Sequence, residues 1–190
     1  AADLEARLAP QDVPFDIEIV DNGRVEGVAA ASRFTDVIVT SLDEPALEEI
    51  AVGVRSPVLA LPKGVPMLVF DGPAVVAWDG GHEAANALRA SLPLLRLASQ
   101  VHIVTVREKS EDFPAADAAR YLSRHGVTAE VHAVEPKGTI AATIEETARK
   151  LGAGLIVMGV FGHSRLRELL LGGVSRALLD RSLIPLLLAH

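Results

Sequence analysis

Four glycines crowd one stretch of the chain. Gly159, Gly162, Gly172 and Gly173 fall within Val157-Met158-Gly159-Val160-Phe161-Gly162-His163-Ser164-Arg165 and its continuation to Ser175. Gly159 and Gly162 bracket a turn that leaves an apolar strand, and Gly172-Gly173 precedes a helix starting near Val174 or Ser175. Glycine admits left-handed backbone and lets a phosphate oxygen reach main-chain amides with no β-carbon in the way. The first amides of a helix lack intrahelical acceptors and offer further anion contacts. Two separated glycine elements, one at a strand's carboxyl end, therefore suit a polyanion such as a nucleotide's phosphates. Tight turns alone would explain any one of these glycines. The spacing is neither GxxxxGK[ST] nor GxGxxG.

Other chemistry is sparse. Asp79 precedes Gly80-Gly81 at the end of a short apolar strand, where it either caps the turn or faces a ligand. Arg165 and Arg167 could face phosphate or pair with Glu168 on a helix surface. His163 is expected to be exposed on the loop. The six histidines, His82, His102, His125, His132, His163 and His190, show no tight metal-ligand spacing, and no metal site is expected. His102 and His132 fall on strands expected to be adjacent, which needs no metal. The chain has no cysteine, no HExxH and no GxSxG, so disulfides, cysteine-ligated metals and the commonest nucleophile arrangements are excluded.

Elements that could position these residues recur along the chain. Residues 74–78 form a short strand and 83–96 a helix, with Ala84, Leu88, Leu92 and Leu95 on one face. Strand 101–106, helix 115–125, strand 127–134, helix 139–151, strand 154–158 and strand 185–188 follow. Strands separated by helices imply parallel pairing and right-handed crossovers. The expected fold is α/β, a doubly wound parallel five-stranded sheet, together with an incomplete second copy of the same unit.

That incomplete copy comes first. Ala1, Ala2, Asp3, Leu8, Val13 and Val20 match Ala115, Ala116, Asp117, Leu122, Val127 and Val134 at a constant offset. Residues 1–65 are therefore assigned to a partial, degenerate domain and 66–190 to a complete one. The partial domain is expected to contribute strands at 15–20, 37–40 and 58–61. The first two strands of its unit have no counterpart, which implies that an N-terminal piece of the biological protein is absent and leaves 15–20 without neighbours. It has no paired glycine loop, and Asp43 and Glu44 would repel phosphate. A structural role is expected for it.

Composition narrows the partners. With 49% apolar residues the chain can build a sizeable core. A formal charge of -7 without a basic run argues against nonspecific nucleic-acid binding. No apolar run is long enough to span a bilayer, and the absence of cysteine fits a cytoplasmic protein.

The 159–175 segment resembles the Gly-x2-Gly-x9-Gly-[Ser/Thr] nucleotide-binding motif of the universal stress protein family, with Gly159, Gly162 and Gly172 at the required spacing. The run Ala74-Val75-Val76-Ala77-Trp78-Asp79-Gly80 and the ending Pro185-Leu186-Leu187-Leu188 are similar to that family too. The resemblance implies an adenine nucleotide, ATP or AMP, with or without Mg. Asp79 would lie beside adenine or ribose, and the backbone near Val106 would meet the base. Met158, Gly159 and Gly162 would line the ribose and phosphate approach, with His163 and Arg165 on the same loop. Gly172, Gly173, Val174 and Ser175 would contact phosphates. Gly173 stands where the family has serine or threonine, which removes a hydroxyl donor; Ser175 could supply one. The resemblance further implies pairing of the two domains through 57–61 and 185–188, and homo-oligomers. The leading expectation is a nucleotide-binding stress-response or signalling protein without strong catalysis. A slow ATPase or phosphotransfer enzyme and a nucleotide-independent scaffold are the alternatives.

Overall fold

Seven short runs of Val, Ile, Leu and Ala pair into one sheet. They are β1 (Ile38–Ser41), β2 (Val58–Leu61), β3 (Ala74–Ala77), β4 (Val101–Val106), β5 (Ala129–Val134), β6 (Leu155–Gly159) and β7 (Leu186–Ala189). The computed structural model describes residues 2–11, 13–19, 23–64, 68–106, 114–160 and 173–190. The strand order is β1-β2-β7-β6-β3-β4-β5. From β7 across to β5 every pairing is parallel. β1 also runs parallel to β2, but β2 meets β7 antiparallel, with Leu59 opposite Leu187. The sheet as a whole is therefore mixed.

The helices are α1 (Ala2–Leu8), α2 (Arg24–Ala31), α3 (Leu47–Gly53), α4 (His82–Ala90), α5 (Leu92–Leu95), α6 (Ala115–Arg124), α7 (Ile140–Lys150) and α8 (Gly173–Arg181). One face of the sheet is covered by α2, α3, α7 and α8, through Ile50, Ala51, Ile144, Ala148, Leu178 and Leu179. The other is covered by α4, α5 and α6, through Ala84, Leu88, Leu95, Ala118 and Leu122. Burial on both faces accounts for the unbroken apolar character of β6 and β7. The outermost strand β5 instead leaves Val131 44% exposed. None of the described helices is long and apolar enough to cross a membrane.

Sequence and structure part in two places. The strand expected at 15–20 is not formed: residues 13–19 carry no regular structure, and position 20 lies outside the described residues. A strand needs a ladder partner for its main-chain groups, and none of the described strands pairs with this segment. The helix expected over 83–96 breaks at Ser91 into α4 and α5, because Pro93 in the first turn of α5 has no N–H to continue the hydrogen-bond series. Elsewhere the ends move by a residue or two. Thr139 takes the N-cap of α7, its hydroxyl accepting from the Ala142 N–H at 3.2 Å.

The unit β1-α3-β2 repeats the order and parallel pairing of β6-α8-β7. Helix α2 packs on α3 as α7 packs on α8. The two units meet edge to edge where β2 joins β7.

Candidate functional site

The parallel strands β6, β3 and β4 are neighbours, with Val76 opposite Val157 and Ala77 opposite Val104. Their carboxyl ends carry Met158 and Gly159, Asp79, and Val106. The chain leaves β3 for β4 on one side and β6 for β7 on the other. A crevice at such a reversal of strand order, outside the carboxyl ends, is where open α/β sheets bind ligands.

Beyond β3 the ladder runs one residue further, the Trp78 N–H donating to the Val104 carbonyl at 2.9 Å. The chain then turns through Asp79-Gly80-Gly81. Gly80 has φ 79°, in the left-handed region that a side chain disfavours. Asp79 is exposed, and its Oδ1 accepts the Gly81 N–H at 2.8 Å. The carboxylate thus holds the turn that launches α4. One oxygen is committed to this turn.

Gly159 ends β6 beneath the first turn of α4. A β-carbon built there would lie 2.5 Å from the Glu83 carbonyl carbon and 2.6 Å from the Ala84 nitrogen. Helix backbone and strand backbone therefore touch, as only glycine allows. On the opposite face, the buried Ser175 in the first turn of α8 directs its hydroxyl at the Gly159 carbonyl, at a long 3.5 Å. Two helix N-termini, one from each face of the sheet, thus meet at the end of β6. Each presents amides without intrahelical acceptors and the positive end of its dipole.

The sequence-derived residues divide accordingly. Asp79, Val106, Met158 and Gly159 gather at adjacent strand ends. Met158 buries its side chain in the core, so a ligand at this end could meet only its main chain. Gly173 starts α8, and no atom of the other described residues lies within 4 Å of a β-carbon built on it. Val174 packs partly against the core, and Ser175 is turned inward to Gly159. Gly162, His163, Arg165 and Gly172 lie outside the described residues. The first turn of α4 is the feature that sequence reasoning missed. Its signal is Gly81-His82-Glu83, a glycine at a helix start with an acid in the first turn.

Charge at this end is negative among the described side chains nearest the turn. The Asp79 and Glu83 carboxylates both flank Gly81, 3.0 and 3.4 Å from a β-carbon placed on it. A separate cleft of about 280 Å³ opens on the α4–α6 side, lined by residues including Trp78, His82, Arg89, Asp117 and Tyr121. It does not contain Gly159 or Gly173. The starts of α4 and α8 lie apart from that cleft, at the carboxyl end of β6.

Solved structures share this fold. A universal stress protein of Archaeoglobus fulgidus DSM 4304 matches 99% of the chain and 76% of its own length, with a TM-score of 0.70 at 20% identity. A putative universal stress protein of Pseudomonas aeruginosa UCBPP-PA14 matches 99% of the chain and 76% of its own, at TM-score 0.66 and 17% identity. At these identities the likeness speaks for the fold. A universal stress protein of Synechocystis sp. is 29% identical over 150 residues, 74% of this chain and 49% of that protein. The chain thus spans about half the length of the curated relative it matches. The pattern of the Universal stress protein family covers residues 72–190, which hold β3 to β7 and the crevice at their carboxyl ends. By that match, which takes in more than half of its residues, the chain belongs to the universal stress protein family.

Proposed function

We propose that the chain binds an adenine nucleotide, ATP or AMP, and acts in stress response or signalling by binding, without strong catalysis. The observation that carries this reading is the meeting of the α4 and α8 N-termini at Gly159, where the sheet reverses its strand order. Main-chain amides there can take phosphate oxygens. Asp79, whose Oδ1 holds its turn, can take a ribose hydroxyl or a magnesium ion through Oδ2. The nearby Asp79 and Glu83 charges favour a magnesium-bound nucleotide over the bare anion. A nucleotide bound only by the folded protein stabilises it by mass action, which couples nucleotide level to conformation. In this reading residues 1–65 are a degenerate partial copy paired to the complete domain through β2 and β7. The protein works in the cytoplasm, and further assembly of whole chains is open to it.

Isothermal titration with ATP and AMP, with and without Mg, tests the proposal. Saturable heat from either nucleotide supports it, and no heat from both defeats it. Phosphate release over hours distinguishes a slow ATPase from a binder.

Gly173→Ser probes the same site from the other direction. No described atom stands in the way of a side chain at Gly173, and serine restores the hydroxyl that the family pattern carries. Affinity for the nucleotide is expected to rise by roughly tenfold, the worth of about one added hydrogen bond. Unchanged affinity in the titration would place the phosphates away from the start of α8.

A further inference from the structure

The geometry points to a zinc-type metal site formed by His102, His132 and Glu130 on the α7 side of the sheet, where β4 pairs with β5. None of the three takes part in the nucleotide site proposed above. His102 lies opposite Glu130 and Val104 opposite His132 in the parallel register. Alternate residues of a strand share a face, so the three side chains project together. Thirty residues separate the two histidines in the chain. The pleat removes that separation.

The ligand atoms are spaced as a small divalent ion requires. His102 Nδ1 lies 3.1 Å from His132 Nε2 and 3.5 Å from Glu130 Oε2, and His132 Nε2 lies 3.6 Å from the same oxygen. Ligands at about 2.0–2.1 Å around tetrahedral zinc stand about 3.3–3.4 Å apart. A circle through the three atoms has a radius of about 2.0 Å, so an ion fits close to their plane with its fourth position open.

The protein chemistry fits a borderline-soft cation. Two facing ring nitrogens at 3.1 Å hold either one shared proton or a cation. The histidine at 102 is only 3% exposed in a strand that is otherwise apolar but for Thr105. Such a buried polar ring calls for a partner beyond the core. Burial, followed by the neighbouring His132, holds His102 below the ordinary histidine range, against the opposing pull of Glu130. The side chains of Glu130 and His132 are 75% and 28% exposed, which leaves an entry path from solvent. Imidazole nitrogens disfavour Mg and Ca and suit zinc.

The other nitrogen of His102, Nε2, is buried and has no hydrogen-bond partner among the described residues. Tight zinc sites give that nitrogen an acceptor, and its lack here sets the expected affinity in the micromolar range. An ion bridging β4 and β5 would clip the outermost strand to the sheet.

The test is titration of the chelator-treated full chain with zinc, without nucleotide, alongside His132→Gln and Glu130→Gln. Both changed positions are partly or largely exposed, so the variants should fold. One zinc per chain at micromolar affinity is expected, with affinity lowered at least tenfold in each variant and no heat from Mg. Cobalt substituted for zinc should show the absorption of a four-coordinate nitrogen–oxygen site. Absence of zinc binding at these concentrations would leave the histidines as a plain hydrogen-bonded pair and overturn the proposal. Binding by both variants equal to that of the unchanged chain would place the ion elsewhere and overturn it too.

Discussion

Gly159→Ala is expected to destabilise the fold by about 3 kcal/mol, at the upper end of overpacking costs, and to abolish nucleotide binding. The added methyl would meet the Glu83 carbonyl carbon, the Ala84 nitrogen and the Glu83 β-carbon at 2.5, 2.6 and 2.8 Å. Two of these are main-chain atoms of a helix, so no rotamer change relieves the contact. Helix α4 has to move off the sheet, and Ala84, Ala87 and Leu88 leave well-packed positions with it. The same movement takes the α4 amides away from β6 and separates the two helix starts. Urea unfolding followed by Trp78, the single tryptophan and a buried one, measures the stability loss. Gly173→Ala is the control. Its β-carbon meets no atom of the described residues within 4 Å. Wild-type stability in Gly159→Ala would show that α4 does not rest on β6, and the paired-amide site would go with it.

The roles of Gly159 and Asp79 show where sequence reasoning reaches and where it stops. The glycine spacing locates the end of β6 and the start of α8, because turns and helix starts are local events. It does not reveal that Gly159 is occupied by α4, since which backbone approaches a glycine is decided by packing. Asp79 was open to two roles, turn cap or ligand contact; its bond to the Gly81 N–H realises the first and leaves the second to experiment. Strands β3, β4, β6 and β7 are legible as β-branched or apolar runs bounded by turn residues. Residues 15–20 carry the same signal in Phe15, Ile17 and Ile19, yet no strand forms over 13–19. Local alternation specifies a strand only where a neighbour accepts its hydrogen bonds. Of the His102–Glu130–His132 cluster, only the adjacency of the two histidine strands was legible; the facing of the three side chains was not. Its residues meet through register, which linear spacing does not carry.

Leu59→Asp is expected to cost about 4 kcal/mol, because an unpaired carboxylate would be forced into an apolar core. Leu59 is 2% exposed, lies opposite Leu187 and packs in the cluster that holds Val76, Trp78 and Val157. The loss should fall unevenly. Strands β7, β6, β3, β4 and β5 keep their own parallel ladder and helices on both faces, whereas β1 and β2 reach the sheet only through β7. Hydrogen exchange should therefore accelerate in β1 and β2 while β3 and β4 remain protected. Release of β2 would also uncover β7, a strand buried at every position from Leu186 to Ala189. An apolar edge with unpaired main-chain groups recruits another strand. Antiparallel pairing of two β7 strands would reproduce the geometry that β2 now supplies within the chain. Light scattering should then show the mass of Leu59→Asp doubling at micromolar concentration. Uniform loss of protection across all seven strands would instead make β1 and β2 part of one cooperative unit, and the division of the chain near residue 65 would fail.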